Sequence, residues 1–148
     1  MNAHFIPLAI LIGAALSSQP AINQAAVRVL GTPIAAAIVS VIVTLILMVA
    51  YLLATGAKVQ AASLFNLPWW IVLGGAAGFL FVFGGVTVAP AIGAAVFFVC
   101  IVAGQLTGAA LIDHFGAFGM DVRPVSLLRL VGISIVLLGV VLVIIGSR

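Results

Sequence analysis

The residues able to do chemistry in this chain are few, and most of them interrupt apolar stretches. Ser17-Ser18-Gln19-Pro20 and Asn23-Gln24 fall in the first apolar block, Gln105 falls in the fourth, and Asp113-His114 closes it. Hydroxyls and amides hydrogen-bond neutral groups without supplying charge, which suits holding a polar solute better than transforming one. The sequence has no glutamate, and its two carboxylates, Asp113 and Asp121, lie at the end of the fourth block and in the loop beyond. A carboxylate at mid-membrane is the usual proton-relay or cation-binding group, so a proton/cation exchanger built on one is disfavoured. Asp113 beside His114 is a candidate proton site at the membrane rim, against the plainer reading of an interfacial helix end. The two histidines, His4 and His114, are too few for a metal centre, and neither a nucleophile elbow nor a phosphate loop occurs. No catalytic residue and no cofactor is assigned, and the chain does not read as an enzyme.

The elements that must position these groups follow from composition. Of the 148 residues 66% are hydrophobic and 5% charged, where a soluble domain carries about a quarter charged. Lipid is therefore the solvent for most of the surface, and only helices or a closed barrel satisfy their backbone groups there. Uninterrupted apolar runs without alternation select helices, so the fold class is an all-α integral membrane protein. At about 20 residues per crossing, five transmembrane spans are expected, over 5–26, 33–55, 69–88, 91–112 and 127–146. They make one transmembrane domain, 1–148, with nothing left for a soluble one. In span one, Gly13, Ser17, Gln19, Pro20, Asn23 and Gln24 share half the circumference, opposite Ile22 and Ala25. Pro20 frees the carbonyl near Leu16 and should kink the helix, and broken polar helices of this kind line water-filled cavities.

The loops between spans carry the breakers Gly31, Pro33, Gly56, Pro68, Pro90, Gly116, Gly119 and Pro124. Spans three and four are joined by little more than Ala89 and Pro90, which predicts a tight antiparallel hairpin. Trp69 and Trp70 open span three, where indoles anchor at the headgroups. Met1-Asn2-Ala3-His4 lacks the basic region of a signal peptide, so the first span is expected to be retained. Cys100 lies alone in mid-span and reads as apolar filler. The basic residues are scattered at span ends, as interface anchors rather than a nucleic-acid surface.

Five spans put the termini on opposite sides. Lys58, Arg123 and Arg129 then fall on one side and Arg28 and Arg148 on the other, a bias too small to fix orientation by the positive-inside rule. Dual insertion is expected, against a single orientation set weakly by the excess of one basic residue, with oppositely inserted copies pairing as an antiparallel homodimer that reproduces the inverted repeats of many transporters. Small residues four apart let helices approach closely in lipid. Gly74/Gly78 and Gly104/Gly108 have that spacing, and Gly132, Gly139 and Gly146 recur at intervals of seven. The last helix is the leading candidate for the dimer seam, against packing within one subunit.

The stretches Gln19-Pro20-Ala21-Ile22-Asn23, Ala89-Pro90-Ala91-Ile92-Gly93-Ala94-Ala95, Val102-Ala103-Gly104-Gln105-Leu106 and Leu111-Ile112-Asp113-His114-Phe115-Gly116, with Arg123-Pro124 and the Gly132/Gly139 helix, resemble the YdcZ-like family of short bacterial inner-membrane proteins. That family falls within the drug/metabolite transporter superfamily, and the resemblance covers essentially the whole chain. It implies a five-helix half-unit of a ten-helix transporter fold, completed by an antiparallel copy, in the bacterial inner membrane. The small multidrug exporters are similar more distantly, but their membrane glutamate in the first helix has no counterpart here.

The expected function is a homodimeric, dual-topology secondary transporter of a small neutral or amphiphilic solute. Its cavity is placed at the dimer axis, lined by Ser17, Asn23, Gln24 and Gln105, against a bond between helices for Gln105 and a solvated rim for Asn23 and Gln24. The alternatives are a membrane module that binds lipid or stabilises a partner, and a passive facilitator or channel. Expected partners are a second copy of the chain, membrane lipid and a small-molecule substrate, with no nucleic acid.

Overall fold

The computed structural model describes residues 5–58 and 60–147, the side chain at position 61 excepted. His4 and Arg148, which entered the metal and topology readings, lie outside the described residues, as does the N-terminal tetrapeptide. Every regular element among the described residues is helical: α1 (Phe5–Leu30), α2 (Pro33–Thr55), α3 (Ala61–Leu64), α4 (Ile71–Thr87), α5 (Ala89–Ile92), α6 (Ala94–Phe115), a 3₁₀ turn (Ala117–Gly119) and α7 (Leu127–Gly146). Four helices, α1, α2, α6 and α7, are long and apolar enough to cross a membrane. The third apolar block is shorter than the expected span of 69–88. Its helix α4 has 17 residues, a rise of about 25 Å against a hydrocarbon core of about 30 Å. Tight i→i+3 bonds from Val72 to Trp69 and from Leu73 to Trp70 extend the helical path N-terminally, and Val88 N–H to Gly84 O extends it at the other end. Trp69 and Trp70 stand edge to face beside that first turn.

Three boundaries differ from the sequence reading, each for a local reason. Helix α1 continues past Ala26 to Leu30 because nothing stops it before Gly31, which takes φ 77° and donates to Val27 O at 2.8 Å. Thr32 then caps α2, its hydroxyl accepting from Ala35 N–H at 3.3 Å, and Pro33 sits in the first turn, where its missing N–H costs nothing. The α1–α2 connection is thus two residues long. Ala89 and Pro90 do not form a loop but the start of α5, and the break comes at Gly93, whose φ 88°, ψ 144° is a conformation for glycine. Helix α6 runs correspondingly later, from Ala94 to Phe115.

The chain gathers into two compact units, Met1–Pro90 and Ala91–Arg148. In the first, α1, α2 and α4 pack on one another. Their shared core is small: Ala36 and Ala37 of α2 and Val86 of α4 are buried, with Ala26, Val27 and Val82 around them. Lipid offers no hydrophobic drive between helices, so close approach of small side chains takes its place. In the second unit α6 packs on α7, and no residue of α7 is buried. Large apolar side chains such as Leu128, at 82% exposed, face outward throughout. That pattern fits a lipid surround and would be untenable in water.

Candidate functional site

Helix α1 carries its polar side chains on more than one face of the packed unit. Ser17 and Ser18 are exposed, and their hydroxyls donate to the carbonyls of Ala14 and Ala15 at 2.7 and 2.8 Å. Gln19 is half-buried and reaches across to α2, its Nε2 donating to Ser40 Oγ at 3.4 Å. One turn further along, Asn23 is 6% exposed. A turn beyond it on α1, Ala26 and Val27 pack on the core of Ala36, Ala37 and Val86. Pro20, also buried, lies on the same side of the helix. Helix α1 runs unbroken through it, and the missing proline N–H leaves the Leu16 carbonyl without its helical donor. Gln24 is half-buried beside this row, and Ile22, 64% exposed, lies away from it as expected.

A clear division runs through the intramembrane polar groups. Hydroxyls other than that of Ser40, which accepts from Gln19, bond their own helix: Thr44 donates to Ser40 O, Thr87 to Phe83 O, Thr107 to Ala103 O and Ser134 to Leu130 O, all at 2.8–3.0 Å. The amides do not fold back in this way here. Asn23, Gln24 and, in the second unit, the exposed Gln105 of α6 have no hydrogen-bond partner among the described residues. No fully enclosed side-chain nitrogen or oxygen lacks a partner there, so the Asn23 amide, though nine-tenths buried, keeps an opening. Ser17, Asn23 and Gln24 therefore belong to the first unit and Gln105 to the second.

The rim residues of the second unit form a closed turn. Helix α6 ends at Gly116, φ 61°, whose N–H bonds to Ile112 O. Phe118 and Gly119 follow with φ 58° and 80°, and the chain returns so that Arg123 N–H donates to Asp113 O at 2.7 Å. Val125 N–H donates to His114 Nδ1 at 3.2 Å. Ser126 caps α7 by accepting from Arg129 N–H, and the Arg129 guanidinium meets Asp113 Oδ2 at 2.6 Å. Asp113 and His114, the candidate proton site, are thus both engaged in holding α6 to α7. The sequence reading treated Arg129 only as an anchor. Asp113 and Arg129 are 16 residues apart across a loop whose path was unknown. Ser40 was missed too, although with Thr44 it interrupts an otherwise apolar helix interior.

The glycines of the candidate seam are not used for close packing within the described chain. A Cβ built on Gly104, Gly108, Gly132 or Gly139 would meet no atom within 4 Å. Gly139 instead opens a groove of about 310 Å³ between α6 and α7, lined by Phe98, Val102, Val136 and Val143. In the first unit Gly75 and Gly78 open a larger groove of about 460 Å³ between α4 and α2, whose lining is apolar except for Thr44.

A family model described as "Putative inner membrane exporter, YdcZ" matches residues 4–142. No curated protein and no solved structure matches the chain.

Proposed function

Because the chain belongs to this YdcZ family of inner-membrane exporters, a multi-pass transporter by membership, we propose that it acts as an antiparallel, dual-topology homodimer. Five crossings per copy make the half-unit, with α4 as the shortest, and the pair moves a small neutral or amphiphilic solute through a cavity at its axis. Ser17, Asn23, Gln24 and Gln105 line that cavity, and the open faces of Gly104, Gly108, Gly132 and Gly139 meet the second copy. The observation that carries this reading is the set of amides without partners. An amide left in hydrocarbon with no hydrogen bond costs several kcal/mol, so Gln105, exposed on an apolar helix, calls for a wet cavity or a partner copy to cover it. The transport path on this reading is uncharged: Asp113 is engaged with Arg129, and Asp121 lies in the loop before α7. A lipid-binding module is the second reading, favoured by the apolar groove between α2 and α4.

Gln105→Leu separates the roles. If Gln105 lines a wet cavity, the variant keeps its melting temperature while flux of neutral solutes from proteoliposomes falls severalfold. If the amide is glue between helices, stability falls by about 1–2 kcal/mol and flux per folded dimer stays normal, which removes Gln105 from the site. No flux of any neutral solute by the native protein leaves the lipid-binding reading.

A further inference from the structure

We propose that Gln19 and Ser40, together with Asn23, form a binding site in the first unit for an uncharged head group that carries both a hydrogen-bond donor and an acceptor, as a primary amide or a hydroxyl does. The inference deepens the transport reading, on which it rests for its use in the cell, by naming the chemistry of the solute and by adding residues of α1 and α2.

Three observations converge. Gln19 Nε2 and Ser40 Oγ join α1 to α2 at 3.4 Å inside the unit, which spends one donor and one acceptor and leaves the rest. Gln19 keeps Oε1 and a second N–H, and Ser40 keeps its O–H. Asn23, about 6 Å along the same face by helical rise, is 6% exposed and spends neither its oxygen nor its nitrogen on any described residue. Its amide atoms are not fully enclosed, so a ligand group can reach them. The Leu16 carbonyl, released by Pro20, adds an acceptor on this side of α1.

The residues present select the ligand class. The charged side chains of the first unit are Arg28, in the last turn of α1, and Lys58, in the loop after α2. Neither lies in the turns that hold Gln19, Asn23 and Ser40. An ion drawn into these apolar helices without a counter-charge is expensive, whereas a neutral group exchanging hydrogen bonds with water for equivalent ones is not. The free groups include both donors and acceptors, so a ligand offering only one kind leaves part of the set unmet. Sites built to hydrogen-bond a group discriminate strongly against analogues that lack it.

The test uses the native chain in lipid nanodiscs with its side-chain amides labelled by ¹⁵N and assigned by substitution. Three probes share one apolar body and differ in the head: hexanamide, hexylammonium and hexanoate. Hexanamide is expected to shift the Gln19 and Asn23 amide signals saturably, with hexylammonium and hexanoate weaker by about tenfold or more. Ser40→Ala should weaken hexanamide about threefold or more, the loss of one modest hydrogen bond. Thr44→Ala, whose hydroxyl bonds its own helix, should not. Absence of a saturable response at Gln19 and Asn23 in the native protein, or equal binding of hexylammonium, overturns the site. Parallel proteoliposome flux keeps the two readings apart. Hexanamide bound at Asn23 while no neutral solute is carried sustains the site and defeats transport; a neutral solute carried while these amides stay silent does the reverse.

Discussion

Replacing Gly116 with alanine tests the turn that ties α6 to α7, and its cost follows from the geometry. Gly116 has φ 61°, and an added Cβ would lie 2.7 Å from Val122 Cγ2 and 2.9 Å from the Met120 carbonyl oxygen. The left-handed conformation alone costs an L residue about 1–2 kcal/mol. The valine methyl can move, but the carbonyl belongs to the returning chain, which is fixed by the Arg123–Asp113 and Val125–His114 bonds. Overpacking of that kind adds about 1–3 kcal/mol, for a total of about 2–5 kcal/mol. Gly56, which caps α2 with φ 63°, is the matched control, because a Cβ there meets nothing within 4 Å. Gly56→Ala should cost only the conformational part, about 1–2 kcal/mol. Circular-dichroism unfolding of both variants in the same detergent measures the difference. Equal losses would show that the chain after Gly116 is not held against it, and the assignment of Asp113, His114 and Arg129 to one closed turn would fall with it.

The remaining expectations concern the ion pair and the dimer. A double-mutant cycle on Asp113→Asn and Arg129→Gln should give a coupling of about 0.5–1 kcal/mol that shrinks in high salt, since the side chains are 26% and 35% exposed; zero coupling at low salt would mean the pair is not formed. At Gly139 a Cβ meets nothing within 4 Å and the rest of a leucine has the groove of about 310 Å³ beside it, so the Gly139→Leu monomer should melt unchanged while crosslinked dimer in detergent declines. An undiminished dimer moves the seam to the Gly104/Gly108 face. Paired reporters fused after Arg148, one active in the cytoplasm and one outside, should both score, and two lysines added beside Lys58 should silence one of them; a single active reporter in the native chain excludes dual insertion.

The sequence by itself determined the solvent and the class of element. A chain with 66% hydrophobic residues and a handful of charges has nowhere to bury its apolar surface but lipid, and lipid admits helices because they satisfy their own backbone. It also determined family membership, and it singled out the polar face of α1, Gln105 and the rim carboxylate, because polar residues are conspicuous against an apolar background. Boundaries were legible only where a local stop signal acts. Gly31 and Gly116 end helices by adopting positive φ, whereas Pro90 reads as a break and is instead accommodated near the start of α5, where no donor is lost.

What the tertiary structure decided was which polar groups are spent and which are free. A serine and a glutamine look alike as interruptions of an apolar run, but Ser17 reaches a carbonyl of its own helix, Gln19 reaches across to Ser40 and Asn23 bonds no described residue. Ser17 is therefore self-satisfied, and Asn23, nine-tenths buried, is left open. Pairings at long sequence separation were illegible for the same reason in another form. Gln19 with Ser40, and Asp113 with Arg129, depend on the path of a turn, and a change of one residue in that path rotates the facing side chain by about 100°. Composition carries no record of that rotation; only the packed helices fix it.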